Sequence, residues 1–140
     1  MLDHLSLSVS DLPRSARFYD ALLGPLGYGR VWEASDAVGY GPAGGGDKLA
    51  LKAWTGDARP PGPRFHLAFT ANSAGAVDQA HRSALEAGGR DDGPPGWRPR
   101  YGPGYYAAFV VDPDGHRLEA VFHAPDNDNQ ADGAPPGEAG

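Results

Sequence analysis

HLSLSV at residues 4–9 returns as HLAFTA at residues 66–71, displaced by 62 positions. Both runs alternate. Leu5, Leu7 and Val9 share one parity, with His4, Ser6 and Ser8 on the other. In the second run Leu67 and Phe69 oppose His66, Ala68 and Thr70. A period of two with one apolar parity is the pattern of a half-buried strand. A histidine opens each run, on the parity facing away from the apolar side.

The segments behind the two runs also match. After the first, Asp11 reads as a helix N-cap and Pro13 as an early helical residue. Ala16, Tyr19, Leu22, Leu23 and Leu26 keep helical spacing, and the helix should close between Gly24 and Gly27, with Pro25 as breaker. Strands are expected at Tyr28–Ala34, Asp36–Tyr40 and Lys48–Trp54, with Gly41–Gly46 as a loop. The boundary falls in Gly56–Pro63. The pattern then restarts: a strand at Arg64–Ala71, a helix capped by Asn72 or Ser73 and running to about Ala87, and one short strand inside Asp91–Gly104. Strands at Tyr105–Val111 and His116–His123 flank the turn Asp112-Pro113-Asp114-Gly115, where Pro fixes φ and Gly supplies a positive one. The expected fold is α+β: two βαβββ modules, residues 1–55 and 64–124, forming one domain over residues 1–124 with a cup-shaped mixed sheet.

Composition bounds the function. The chain has 140 residues, and 21 Gly with 14 Pro make up a quarter of it, so most of these must sit in turns around a core supplied by the 40% hydrophobic residues. There is no cysteine, which excludes disulfides, thiolate ligands and thiol nucleophiles. The net charge is −6. Residues 1–124 carry 14 acids against 12 bases, so nothing favours nucleic acid or an anionic membrane. Residues 125–140 hold four acids and no base, and read as an acidic tail without a core of its own, dispensable for fold and metal binding. No signal peptide and no apolar run of membrane-spanning length is seen, so a soluble, cytoplasmic protein is expected. Neither glycine run is a phosphate loop, because neither links a strand to a helix through a Lys-Ser/Thr.

The chemistry lies on the parity turned from the helices. In the last strand Leu118, Ala120 and Phe122 take the apolar side, so Arg117, Glu119, Val121 and His123 face the cup, as His4 and His66 do. Strands lie ~4.8 Å apart, and bonds of ~2.0–2.2 Å let neighbouring strands share one ion. The reading is a two-histidine, one-carboxylate metal site of His4, His66 and Glu119, with open positions for water or substrate. Its nitrogen and oxygen donors admit a divalent Fe, Mn, Ni, Co or Zn. Taken singly, His4 and His66 are also ordinary strand histidines, and Glu119 a carboxylate paired with Arg117. His116 and His81 read as surface residues.

DHLSLSVSDLPRSARFYDALLGPLGY at the front, FHLAF in the middle and YGPGYYAAFVVDPDGHRLEAV at the end together resemble the vicinal oxygen chelate superfamily. That superfamily includes glyoxalase I, extradiol dioxygenases, fosfomycin-resistance thiol transferases and bleomycin-resistance proteins. The resemblance spans roughly residues 1–124 and implies that the family's ligand positions on the first, fifth and eighth strands fall on His4, His66 and Glu119. It also implies a small-molecule substrate and a homodimer, in which exchanged modules would bring His4 to the partner's second module. Glyoxalase I has a fourth ligand on the fourth strand, within a Leu-acid-Leu pattern; here Leu49-Ala50-Leu51 puts a methyl there. This favours three-ligand chemistry over the lactoylglutathione lyase mechanism.

Around that site, Tyr106 and His123 are the candidate acid/base residues. Lys52 and Trp54 share the parity of Ala50, and with Tyr101, Tyr105 and Arg117 they are the candidate substrate contacts. The resulting expectation is a small metal-dependent enzyme: a glyoxalase-like lyase or isomerase, a dioxygenase or a thiol transferase. The alternative is a metal-free, ligand-sequestering protein of the bleomycin-resistance type.

Overall fold

The computed structural model describes residues 1–57 and 59–125. Asp126–Gly140, most of the acidic tail, lie outside the described residues. The first module runs β1 (Leu5–Val9), α1 (Leu12–Leu23), β2 (Tyr28–Ala34), β3 (Ala37–Pro42) and β4 (Leu49–Ala53). The second runs β5 (His66–Thr70), α2 (Ala74–Glu86), β6 (Arg90–Trp97), β7 (Tyr105–Val111) and β8 (Arg117–His123). Short 3-10 turns occupy Gly24–Leu26 and Pro99–Tyr101.

The repeat seen in the sequence is a repeat in space. One sheet has the order β1-β4-β3-β2 and the other β5-β8-β7-β6. In each, the first strand pairs in parallel with the last, and the other pairings are antiparallel. Leu5 stands opposite Leu49 and Leu67 opposite Leu118, so His4 and His66 hold equivalent places one residue before these pairs. Among the described residues the two sheets do not join, and β1 and β5 each keep one edge without a strand neighbour.

Local signals set the elements. The Asp11 side chain accepts from Arg14 N–H at 3.1 Å and caps α1. Ser73 caps α2 in the same way, accepting from Ala76 N–H at 3.0 Å. Gly115 takes φ 95° in the β7–β8 turn, in the left-handed region glycine tolerates. β6 is longer than the short strand expected, and irregular. Its Gly93-Pro94-Pro95-Gly96 stretch breaks the register twice, because proline donates no ladder bond, and it sits at the sheet edge where this is tolerated.

α1 and α2 pack on each other and on the apolar faces of their sheets, in a core shared by both modules. Phe18, Tyr19 and Leu22 from the first module meet Val77, Ala80 and Leu118 from the second. No helix among the described residues is long and apolar enough to cross a membrane.

A polar clamp locks the modules together. The Asp112 side chain is fully buried and accepts from Tyr19 Oη–H of α1 at 2.6 Å, from His116 N–H at 2.8 Å and from Asp114 N–H at 2.9 Å. His116 Nδ1 lies 2.8 Å from its second oxygen. Asp114 in turn accepts from the Ser10 hydroxyl at 2.6 Å. Two sequence expectations are corrected here. His116 is 2% exposed, because the turn that carries it tucks beneath α1. His81 is 9% exposed and sits 2.9 Å from Asp91 of β6, since it continues the buried stripe Val77, Ala80, Ala84 of α2.

Candidate functional site

β8 presents Glu119 between Ala68 of β5 and Phe109 of β7, on the face turned from the helices. The residue is 2% exposed. Burying a carboxylate is costly unless both oxygens find partners. Oε1 lies 3.0 Å from His66 Nε2, and Oε2 accepts from the Tyr105 hydroxyl. Burial, and then the hydrogen bond to Glu119, push the Tyr105 hydroxyl well above its ordinary pKa, so it keeps its proton and donates. The His66 side chain is about half exposed, so its ring links a buried carboxylate to solvent.

Aromatic rings border this pair. Tyr105 meets the His123 ring edge-on at 5.1 Å and Tyr101 at 5.3 Å. Phe109 flanks His66 at 6.4 Å. His66, Glu119, Tyr105, Tyr101 and His123 are therefore gathered together in the second sheet.

Other expected members are placed elsewhere. Tyr106 is on the helix face of β7, where its hydroxyl donates to Asp78 of α2 at 2.6 Å; burial, and then Asp78, push it up to about 12. It does not share the cup with Glu119. Arg117 faces the cup, but its guanidinium donates to Asp92 of β6 at 2.8 Å, so Glu119 is paired with His66 and not with Arg117. His4 is exposed, with Nδ1 2.7 Å from Asp3, at the open edge of the first sheet. Lys52 and Trp54 are exposed on or just beyond β4, also in the first sheet. Among the described residues, no three His, Asp or Glu side chains gather in one chain to hold an ion. The convergence of His4 with His66 and Glu119 is thus not made within one copy. Two of the three donors stand together, and their donor set fits a divalent ion in part. Ala50, in register with Ser6 and Gly39, offers no fourth ligand.

Trp32 is a residue the sequence reading missed. It stands opposite Gly39 on the helix-free face of the first sheet. A glycine inside a strand is the signal that points to it, because such glycines mark close approach of another group.

The Glyoxalase/Bleomycin resistance protein/Dioxygenase superfamily model matches residues 1–120. A glyoxalase/bleomycin resistance protein from Albidiferax ferrireducens T118 is 31% identical, covering 86% of this chain and 97% of its own, with a TM-score of 0.74. A glyoxalase-related enzyme from Fulvimarina pelagi is 25% identical over 85% of this chain and 86% of its own, with a TM-score of 0.65. The fosfomycin resistance protein FosX from Listeria monocytogenes, 22% identical over 89% of this chain and 94% of its own, has the same fold with a TM-score of 0.65. No curated protein matches the chain. By the family model and by its likeness to the first of these structures, the chain belongs to the glyoxalase/bleomycin resistance protein/dioxygenase superfamily.

Proposed function

We propose that the protein is a small metal-dependent enzyme of the cytoplasm that acts, as a homodimer, on a small substrate with adjacent oxygens. The observation that carries this reading is the Glu119–His66 pair: a carboxylate 2% exposed, 3.0 Å from an imidazole that opens on the cup. A buried carboxylate serves no packing purpose that an apolar residue would not serve better.

The open edges of β1 and β5 give the homodimer its motive, since unpaired strand edges invite strands of another copy. Alignment of these edges would bring His4 of one copy to His66 and Glu119 of the other. A bound divalent Fe, Mn, Ni, Co or Zn would supply Lewis acidity toward the substrate oxygens. The chain's own groups divide the remaining work. Glu119 contributes the negative charge, and Tyr105 fixes its outer oxygen and keeps a proton beside it. His123, on the Tyr105 ring, is the acid/base candidate that lies on this face. Tyr101 shields the side of the cup. With Ala50 in place of a fourth carboxylate, the reading favours dioxygenase-like or fosfomycin-type chemistry over a lyase with a metal-bound carboxylate base.

One observation favours the ligand-sequestering alternative: His4 is turned to Asp3, which holds its Nδ1 at 2.7 Å. Metal titration by calorimetry separates the two. The enzyme reading expects one divalent ion per chain, and at least tenfold weaker binding in Glu119→Gln, which keeps the shape and removes the charge. Wild-type protein that binds no divalent ion, or a Glu119→Gln variant that binds as tightly, supports sequestration instead.

A further inference from the structure

We propose that the indole of Trp32 is a stacking platform for the substrate, and that the substrate is a flat aromatic anion whose charge is met by Lys52. This rests on the reading that the helix-free faces of both sheets belong to one cup, and it names the substrate class of that cup.

Two backbone features serve this one side chain. The first is a β-bulge. Arg30 stands opposite Tyr40 and Trp32 opposite Gly39, so two steps along β2 match one step along β3. Arg30 faces the helix side, where it pairs with Asp20 of α1. In a regular strand Trp32 would share that side; the extra residue turns it to the cup. Bulges re-aim side chains in this way and are frequent beside active sites.

The second feature is Gly39. A Cβ there would lie 2.2 Å from Trp32 Nε1, 2.3 Å from Cε2 and 2.8 Å from Cδ1. Near-equal distances to two bonded ring atoms, with the third close behind, put that Cβ over the ring face and not at its edge. The indole therefore lies flat on the strand, in space that only glycine leaves open. Its other face looks outward, and the residue is 38% exposed.

The floor around it is made of small residues, Ala37, Ala50, Ser6 and Ser8, which leave room above the sheet. Lys52 stands between Ser8 and Ala37 on the same face, exposed. Among the described residues no carboxylate pairs with it. A flat π surface on β2 and a cation two strands away on the same face, over a floor of small side chains, fit a planar aromatic ring bearing a carboxylate or phenolate. An aliphatic ligand would gain no stacking from such a surface.

The test is calorimetric titration of the full chain with three probes. These are 1-naphthoate, flat and anionic; cyclohexanecarboxylate, anionic and puckered; and 1-naphthalenemethanol, flat and neutral. Naphthoate should bind most tightly. Trp32→Ala should weaken naphthoate about tenfold, Trp32→Phe less, and neither should change the cyclohexane probe. Gly39→Ala should weaken naphthoate with Trp32 intact, because the methyl lifts the ring. Lys52→Gln should cost about fivefold for naphthoate, less at high salt, and leave the neutral probe unchanged. Circular dichroism checks that each variant is folded. The proposal is overturned if naphthoate fails to bind at millimolar concentration, or binds Trp32→Ala and Gly39→Ala as well as wild type. It is equally overturned if Trp32→Ala shifts only the monomer–dimer equilibrium, which would make the indole an interface residue. Glu119→Gln separates this proposal from the metal reading. If the metal reading alone fails, naphthoate discrimination persists without metal. If the platform alone fails, Glu119→Gln loses metal while Trp32→Ala leaves naphthoate affinity unaltered.

Discussion

Replacing Asp112 with Ala should loosen the joint between the two modules. Its side chain is fully buried and satisfies the Tyr19 hydroxyl at 2.6 Å and two backbone N–H groups at 2.8 and 2.9 Å, with His116 Nδ1 at 2.8 Å. Truncation leaves these groups without their acceptor in a space closed to water. Each buried unsatisfied donor costs about 1–3 kcal/mol. Because the groups relax together, about 4 kcal/mol is a reasonable total, well below the sum of the parts. A chain of this size loses roughly 3 °C of Tm per kcal/mol, so the melting temperature should fall by about 12 °C. Tyr19→Phe removes only one hydrogen bond to a charged group, about 2 kcal/mol, or roughly 6 °C. The double variant should fall by clearly less than the sum, because both changes remove the same bond. Thermal unfolding followed by circular dichroism at pH 7 measures all three. A drop below about 3 °C for Asp112→Ala, or strict additivity in the double variant, would refute the clamp as the tie between modules.

The other buried contacts can be tested in the same way. Tyr19, Tyr40 and Tyr106 are each held above the ordinary tyrosine range, chiefly by burial. A raised folded pKa contributes stability that is full below the unfolded value near 10 and is lost as pH rises beyond it. Absorbance at alkaline pH should therefore show at least these three phenols un-ionised at about pH 10.5 until the protein unfolds. Asp91 is held below its ordinary value by the hydrogen bond from His81 and then by Gly93 N–H. Its contribution is present above the unfolded value near 4 and is lost as pH falls through the folded one, so Asp91→Asn should flatten the acid limb of the stability curve. Tyr105→Phe frees Glu119 Oε2 and should weaken divalent-ion binding about tenfold by calorimetry, without unfolding the protein.

The duplication is legible because HLSLSV and HLAFTA each have a single apolar parity, and because caps and turns repeat behind them. The same parity puts Glu119 and His66 on one face of the second sheet, where the structure has them. Alternation misplaces Tyr106 for a physical reason. β7 is buried on both faces, with Ala107, Ala108, Val110 and Val111 all in the core, so its pattern says nothing about which parity meets the helix. Trp32 escapes because a bulge reverses parity in mid-strand, which strict alternation does not reveal. His116 reads as exposed because it lies beside a turn, but that turn is covered by a helix about 100 residues earlier, a contact no local pattern encodes. His81 is readable after all, since the spacing of Val77, Ala80 and Ala84 marks its stripe as the buried one. The turn of His4 toward Asp3, at the open edge of β1, is a contact that strand alternation does not encode.

Subunit complementation decides whether His4 of one copy completes a metal site with His66 and Glu119 of another. His4→Ala and Glu119→Gln chains are prepared separately, unfolded and refolded together, and their bound divalent metal is compared with that of each variant alone by elemental analysis. In a shared site, a mixed dimer has one site with both lesions and one intact site. Each variant alone should then hold almost no metal, while the equimolar mixture recovers about a quarter of the wild-type loading per chain, as random pairing dictates. A mixture that forms dimers yet stays as empty as its parents would rule the shared site out.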